Sequence, residues 1–470
     1  MHFNSIIIFL TKFFKNFLIA VQGKEKNFTA GSINKAIFML SIPMILEMIM
    51  ESLFAVVDVF FVSKVSVNAV ATVGLTESVI MLIYAIAIGL SMATTAMVAR
   101  RVGEKNVKAA SDAAFHAVFL ASAIAIFFGG LGAFLAEDIL RLMGGSEELI
   151  KEGSGYTKIL LGGNITIMLL FLINGVYRGA GDASLAMRSL WLANGLNLVL
   201  DPIFIFGLGP IPAFGVEGAA IATTIGRGAG VLYQLYSLLG KKSIIDLTGI
   251  NYVIKPSLLK NIFNISLGGM GQFLIGTASW IFLVRIIAVF GNEALAGYTI
   301  SFRIIMFTIL PSWGLANAAA TLVGQNLGAK QAARAESSVW KCAFYNMIFL
   351  ALLSVVLIYW AEDFVKIFSS IPEVVRYGKA SLTYICIGYV FFAYGMVINQ
   401  AFNGAGDTRT PTVINFFCYW LLQLPMAYLL AVMLDMGPDG VFITIAFSVS
   451  LLAVISIFIF KKGRWKEVAI

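Results

Sequence analysis

The sequence predicts an all-α membrane protein with twelve transmembrane helices in two six-helix lobes, related by a pseudo-two-fold axis along the membrane normal. Three observations lead to this fold class. Hydrophobic residues make up 59% of the 470 residues and charged residues only 12%, unlike an ordinary soluble domain. Apolar stretches of about 20 residues, the length that crosses a bilayer, recur along the chain. The two halves of the sequence also repeat each other.

Six apolar stretches precede a polar segment and six follow it. The first six lie near 38–62, 69–98, 113–136, 157–177, 186–207 and 216–239, and the others near 261–289, 294–323, 338–360, 380–402, 411–433 and 440–460. The predicted divisions are an N-terminal segment at 1–33, a first lobe at 34–240, a cytoplasmic linker at 241–257, and a second lobe with a short basic tail at 258–470.

Residues 1–33 contain an apolar run that Lys12 and Lys15 interrupt. The run is too short to span a bilayer and lacks a small-residue cleavage site. We expect an interfacial amphipathic helix; the alternative is a mis-assigned start codon.

The charges of the loops predict the orientation. Roughly 23 Lys and Arg against about 8 Asp and Glu lie in the termini and in the loops after even-numbered spans, whereas the opposite loops hold roughly 7 against 12. Because basic loops stay in the cytoplasm, we expect a multi-pass protein of the cytoplasmic (inner) membrane with both termini in the cytoplasm.

A shift of 225 residues aligns the two halves. Gly179–Asp182, with the sequence GAGD, falls on Gly404–Asp407, and Gly103 falls on Gly328. The same shift holds across several loops and four spans, which indicates a gene duplication; the last two spans need a small gap. Two similar lobes with an even number of spans share one orientation, and the cleft between them suits alternating access. The alternative is a duplicated scaffold that does not transport.

Acidic residues lie deep in the spans of the first half only. Charges within spans are costly and mark function by default, and the second half is predicted to fold without them. The acids are Glu47, Glu51, Asp58, Glu77 and Asp201, and the residues at the shifted positions are Gln272, Gly276, Leu283, Phe302 and Met426, or Gln423 if a gap is allowed.

The first span carries an acidic stripe. Glu47, Glu51 and Asp58 are separated by four and seven residues, which places them within roughly 40° of one another on a helix. Carboxylates that face a closed cavity are candidates for proton uptake. The alternative is that Glu47 or Glu51 faces the aqueous cleft or pairs with Arg285 or Arg303. Glu77 lies near the middle of its span but off this stripe, so a structural role suits it as well as a functional one.

The fifth span carries the pattern N-x-x-N-x-x-x-D. Asn197 lies one turn before Asp201 on the same face, and Pro202 leaves a carbonyl one turn back without its usual donor. Oxygen ligands of this kind suit a hard cation such as Na⁺, and they equally suit a proton relay. Thr223 in the sixth span adds a hydroxyl, unless it bonds to its own helix.

The sequence shows no pattern typical of an enzyme, a zinc site or a nucleic-acid-binding protein. His2 and His116 lie far apart, and Cys342, Cys386 and Cys418 lie in apolar runs without metal-ligand spacing, so an enzyme or a zinc site is not indicated. The basic residues are scattered over short loops, so the net charge of +8 does not indicate nucleic-acid binding. GAGD lacks the Lys-Ser/Thr ending of a phosphate loop, and its recurrence predicts a tight cytoplasmic turn.

These residues together resemble the multidrug and toxic compound extrusion (MATE) family of the MOP flippase superfamily, over nearly the whole chain after about residue 33. The segments that carry the resemblance are AVVDVFFV (55–62), ARRVGEK (99–105), YRGAGD (177–182), NGLNLVLDPIFIFG (194–207) and GVEGAAIATTIG (215–226). The resemblance implies efflux of organic, often cationic, compounds in exchange for Na⁺ or H⁺.

The resemblance also implies residue roles. Asp58, Asn197, Asp201 and Thr223 look like a cation- or proton-coupling site in the first lobe, with Na⁺ at the first three. The expected substrate cavity contains Glu51, Asn174, Glu47 and Gln272. Many relatives have Gln at position 51, and one branch has an acid where this chain has Gln272, so the chain is more similar to the branch whose cation site lies in the first lobe.

We therefore expect a monomeric, secondary active multidrug efflux antiporter without a cofactor, which works by alternating access in the lipid bilayer on cationic or amphipathic small molecules. The cargo and the choice between Na⁺ and H⁺ stay open. One alternative is a lipid-linked oligosaccharide flippase of the same superfamily, which would line its cleft with basic residues; the in-span cations are Arg227, Arg285 and Arg303. The other is a non-transporting membrane scaffold or sensor.

Overall fold

The computed structural model describes residues 2–23, 28–240 and 243–470, without the side chains of 2–10, 55, 56 and 59. Parts of the predicted N-terminal segment (24–27) and linker (241–242) therefore lie outside the described residues. The described chain forms a helical bundle. Its helices are α1 (His2–Gln22), α2 (Ile33–Val62), α3 (Val67–Gly103), α4 (Val107–Phe134), α5 (Ala136–Leu142), α6 (Glu147–Gly162), α7 (Asn164–Ala180), α8 (Ala183–Phe206), α9 (Val216–Leu239), α10 (Pro256–Ala288), α11 (Asn292–Gly328), α12 (Ala332–Tyr359), α13 (Ala361–Lys366), α14 (Pro372–Ile387), α15 (Tyr389–Ala405), α16 (Arg409–Met433) and α17 (Pro438–Lys461).

The chain is an all-helical, multi-span membrane protein. In the part that the structure describes, 10 helices are long and apolar enough to cross a membrane, and the pair α14 and α15, bent by 57°, raises the number to 11. The predicted sixth span corresponds to α9, which has 24 residues but is not among these helices. Its polar residues, among them Thr223, Arg227 and Gln234, lower its hydropathy.

The repeat in the sequence is also a repeat of helices. A shift of 225 residues converts the bounds of α3, α4, α6 and α7 into those of α11, α12, α14 and α15. The last helices, α9 and α17, are related by a shift of 222, because the connection at 434–437 is shorter than its counterpart at 207–215. The small gap that the sequence required therefore falls mainly in a loop, and α16, whose segments Phe416–Gln423 and Leu429–Met433 are π-helical, ends two residues later than the shift of 225 gives.

Two pairs of turns repeat in the same backbone conformation. Lys105 and Lys330 both have a positive φ, at 59° and 58°, although such values are uncommon for residues other than glycine. Gly181 and Gly406 end α7 and α15 with φ of 83° and 88°, in the left-handed region that ends many helices. The prediction that each GAGD segment forms a tight turn is confirmed.

Residues 28–31, which precede α2, and Val468 near the C-terminus lie at the same end of the bundle. The guanidinium of Arg334, near the start of α12, donates to the carbonyls of Phe28, Ala30 and Gly31. Arg100, at the end of α3, donates from Nη2 to the carbonyls of Ala405 and Val468. The N-terminal and C-terminal segments therefore each hold residues from distant helices together.

The two halves are in tight contact at this same end, which we name the closed end. A Cβ added at Gly103 would lie 2.0 Å from the carbonyl oxygen of Gln325, and a Cβ at Gly328 would lie 2.1 Å from that of Arg100. Each half thus packs a glycine of its long helix (α3 or α11) against the backbone of the other. Only a residue without a side chain permits so close an approach.

Residues 243–255, in the predicted linker, pack against the first half. Ile245, Leu247 and Ile250 are buried, and the backbone N–H of Lys255 donates to Nε2 of the buried His116 at 2.8 Å. His116 therefore anchors the linker on α4.

Candidate cation site

Three helices bring the predicted coupling residues together. Asn197 and Asp201 lie one turn apart on α8, and Thr223 faces them from α9. Nδ2 of Asn197 donates to Oδ1 of Asp201 at 3.2 Å and to Oγ1 of Thr223 at 3.1 Å. Asp58, on α2, lies close enough to Asp201 for the two carboxylates to interact electrostatically. We name these four residues the cation site.

The local packing explains why α9 reaches α8 here. Gly226 follows Thr223 by three residues, and a Cβ at this position would lie 2.6 Å from the carbonyl oxygen of Ala193. Small residues let helix backbones approach closely. The short distance between α8 and α9 is what brings the Thr223 hydroxyl within hydrogen-bond reach of Asn197.

Three oxygen atoms of the cation site are buried without a hydrogen-bond partner among the described residues. They are Oδ1 of Asp58, Oδ1 of Asn197 and Oδ2 of Asp201. Asn197 is 1% exposed and Asp201 0%. Buried polar atoms in native proteins are nearly always satisfied, so an oxygen cluster of this kind fits a bound cation or an added proton.

The oxygen ligands of the site suit a hard cation. The site offers two carboxylates, an amide oxygen and a hydroxyl, which match the preference of Na⁺-like ions for oxygen. Within the described residues, no three His, Cys, Asp or Glu side chains gather as a metal-binding group. A carboxylate can also take up a proton in place of a cation.

Glu51 lies next to the cation site on α2. Its Oε2 accepts a hydrogen bond of 3.0 Å from Nδ2 of Asn194, which precedes Asn197 by one turn. Glu51 is half-buried. Two residues of the N-x-x-N-x-x-x-D pattern therefore interact with acids of the predicted stripe. Asn194 donates to Glu51, and the carboxylate of Asp201 interacts electrostatically with that of Asp58.

Glu47 belongs to a separate buried network. Its Oε1 accepts from Nδ2 of Asn174 at 3.1 Å and lies 3.4 Å from Nη1 of Arg178. Oδ1 of Asn174 accepts in turn from Ser189 and from Gln234. Glu47 thus forms an ion pair, as the alternative proposed, but with a different partner, Arg178.

Arg285 and Arg303, the partners named in that alternative, are both exposed. Among the described residues, neither forms an ion pair with Glu47 or Glu51. The pairing with Arg285 or Arg303 that the alternative named is therefore not found among the described residues.

Gln272 makes the corresponding contacts in the second half. It is buried, and its amide exchanges hydrogen bonds of 2.9 and 3.1 Å with the amide of Asn403. It also donates to the carbonyl of Thr408. In this conformation Glu47, Asn174 and Gln272 are therefore buried and bonded to neighbouring side chains.

Four residues near these acids were missed as site residues. Arg178 pairs with Glu47, Gln234 binds Asn174, and Tyr84 accepts a hydrogen bond from Arg227. Tyr156 is buried where the charges of Asp58 and Glu77 act on it. The only sequence signal was the position of Arg178 within YRGAGD, since the other three lie in ordinary apolar surroundings.

Comparisons with known proteins identify the family of the chain. The model of the MatE family matches residues 43–203 and 267–429. The chain is 26% identical to the probable multidrug resistance protein NorM of Thermotoga maritima over 461 residues, which cover 97% of each chain.

Two solved structures have the same fold. A MATE protein in complex with MaD3S superposes with a TM-score of 0.87 at 28% identity, covering 95% of this chain and 98% of that one. The outward-facing conformation of a multidrug resistance MATE family transporter of the MOP superfamily superposes with a TM-score of 0.87 at 28% identity, covering 93% and 97%. The chain therefore belongs to the MatE family, and it is a multi-pass MATE transporter of the MOP superfamily rather than an enzyme.

Proposed function

We propose that this protein is a secondary active multidrug efflux antiporter, which exports organic, often cationic, compounds in exchange for Na⁺ or H⁺. The observation that carries the proposal is the group of three buried oxygens without partners at Asp58, Asn197 and Asp201. Burial of such groups is unfavourable unless they bind something, so an incoming cation or proton stabilises the site. Coupling then occurs in the first lobe, as in the branch of the family with a cation site there.

The twofold construction supports alternating access. Two lobes, 34–240 and 258–470, are related by a pseudo-two-fold axis along the membrane normal and are joined by the linker. The mutual glycine contacts at Gly103 and Gly328 are then the contacts that open when the protein faces the other side. Cation binding shifts the two states only through a difference in affinity between them.

We extend the same proposal to topology. Here α9 is the sixth span and brings the number to twelve, since its 24 residues measure about 36 Å as a helix. Its polar residues Thr223, Arg227 and Gln234 bond to side chains of α8, α3 and α7. With twelve spans both termini lie on one side of the inner membrane, and the basic loops indicate that this is the cytoplasmic side. The N-terminal helix α1 lies at the interface of the bilayer, and the protein works as a monomer.

The substrate cavity is proposed at Glu51, Asn174, Glu47 and Gln272. Glu51 is adjacent to the cation site through Asn194, so cationic cargo and coupling ion compete for neighbouring acids. The names of NorM and of the multidrug resistance MATE transporter support drug-like compounds as cargo. The buried networks of Glu47 and Gln272 open toward the cavity only in another conformation.

Efflux from proteoliposomes tests this function. We expect a fluorescent organic cation to leave the vesicles under a Na⁺ gradient alone or a pH gradient alone, and the effective gradient identifies the coupling ion. Asp201→Asn removes the charge with little change of shape, so exchange should fall by at least tenfold. Asp363→Asn, an exposed carboxylate on α13, is the matched control and should exchange at the unaltered rate.

Two outcomes would contradict the proposal. Exchange by Asp201→Asn at the unaltered rate would remove the cation site from the mechanism. If neither gradient drives efflux, the flippase of lipid-linked oligosaccharides becomes the better account.

A further inference from the structure

A buried arginine lies beside the cation site. Arg227 follows Thr223 by one turn of α9 and is 7% exposed. Its Nη2 donates to the hydroxyl of Tyr84 at 2.7 Å. Its guanidinium carbon also lies 5.5 Å from the ring centroid of Phe54 and 5.8 Å from that of Tyr84. These contacts hold the side chain in place with a hydroxyl and two aromatic faces.

The positive charge of Arg227 is not cancelled by direct contact. Among the described side chains, no carboxylate forms an ion pair with it, although the charges of Glu51 and Asp58 act on it. Arginine stays protonated in proteins, and a charge inside a span is costly unless it has a function. Arg227 therefore supplies a permanent positive charge to the acids that would bind the coupling cation.

The second half shows that the fold does not need this cluster. The shift of 222 that relates α9 to α17 puts Val449 in the place of Arg227, and the shift of 225 puts Ser279 and Ile309 in the places of Phe54 and Tyr84. The arginine, its aromatic partners and the acids are thus present in one half and absent together from the other. This joint occurrence connects Arg227 with the cation site.

We infer that Arg227 sets the cation affinity of this site: its fixed guanidinium repels an entering cation and so keeps binding weak enough for release. The inference rests on the proposed function, because it assigns a role beside the same acids. A fixed charge in a partly buried site changes the binding of a monovalent ion on the order of ten- to a hundredfold. Arg227 acts on the bound cation through its charge at a distance, since it donates to none of the three unpartnered oxygens.

Equilibrium binding of radiolabelled Na⁺ to the purified, full-length protein in nanodiscs tests the inference. Arg227→Val installs the residue of the second half, and we expect it to bind Na⁺ at least tenfold more tightly than the unaltered protein. Arg227→Gln, which keeps a donor for Tyr84, should bind more tightly as well. Arg227→Lys keeps the charge and should stay within about threefold, as should Arg376→Gln, which removes an exposed arginine.

Several results would overturn the inference. Unchanged or weaker Na⁺ binding by a folded Arg227→Gln protein is one, and absence of Na⁺ binding in every variant is another. Failure of the proposed function looks different: Na⁺ binding would persist in Asp201→Asn, or ion-driven exchange would be absent altogether. If Arg227→Val does not fold, the Gln and Lys variants decide the question alone, since they differ in charge at similar length.

Discussion

Two equivalent positions in this transporter hold pairs of different chemistry. In the first half, Arg178 on α7 lies 3.4 Å from Glu47 on α2. In the second half, 225 residues along, Gln272 on α10 and Asn403 on α15 exchange two amide hydrogen bonds. The same helix contact is therefore satisfied by an ion pair in one half and by a neutral pair in the other.

The comparison separates folding from function. Because an amide pair is sufficient for packing in the second half, the ion pair of the first half is not a requirement of the helix contact. Burying two charges carries a desolvation penalty that often exceeds the gain from their attraction. The charges of the first half are thus explained by the proposed function, in which ions and cationic cargo bind in the first half.

We expect the greatest loss of stability when Arg178 alone is replaced and Glu47 keeps its charge. Arg178→Asn installs the residue of the second half and leaves the Glu47 carboxylate, 2% exposed, without its positive partner. Removing one member of a buried pair costs about 3–5 kcal/mol of stability. Thermal unfolding in detergent measures this as a lower melting temperature.

The double variant Glu47→Gln with Arg178→Asn is the control, because it removes both charges of the ion pair together. It reproduces the amide pair of the second half and should recover most of the lost stability. A double variant as unstable as Arg178→Asn alone would show that the two halves are not equivalent here.

A smaller loss of stability is expected at the closed end, where both halves have a glycine at the contact. Gly103→Ala places a methyl group against the backbone of Gln325, and overpacking of this kind costs about 1–3 kcal/mol. The cost falls on the conformation that is closed at this end, so the variant should populate the open conformation more. Spin labels at Lys108 and Ala333, which are equivalent positions of the two halves, should report longer distances.

The matching variant Gly328→Ala should act in the same way, because its contact with Arg100 is reciprocal. Gly130→Ala, at a helical position with open space around it, should leave the distances unchanged. If only Gly103→Ala or only Gly328→Ala lengthens the distances, the two glycine contacts do not contribute equally to the stability of the closed conformation.

Most of the fold was predictable because membrane helices have a simple signature. The predicted sixth span, 216–239, has the bounds of α9. The predicted tenth span, 380–402, is instead two helices that meet at Gly388 with a bend of 57°. Hydropathy did not reveal the bend, since residues on both sides of it are apolar.

The site was predictable where its residues share a helix and not where they come from distant helices. Helical spacing placed Asn197 one turn from Asp201, and a hydrogen bond joins them. The pair of Glu47 and Arg178 joins residues 131 positions apart. No periodicity relates them, so the sequence suggested Arg285 and Arg303 instead.

Coupling in the first half is tested most directly with a residue taken from the second half. Leu283 is the buried equivalent of Asp58, and Asp58→Leu therefore installs a residue that this helix position accepts. The measurement is the initial rate of ion-driven efflux from proteoliposomes, with equal amounts of folded protein. We predict that Asp58→Leu folds and loses ion-driven efflux; efflux at the unaltered rate would contradict coupling in the first half.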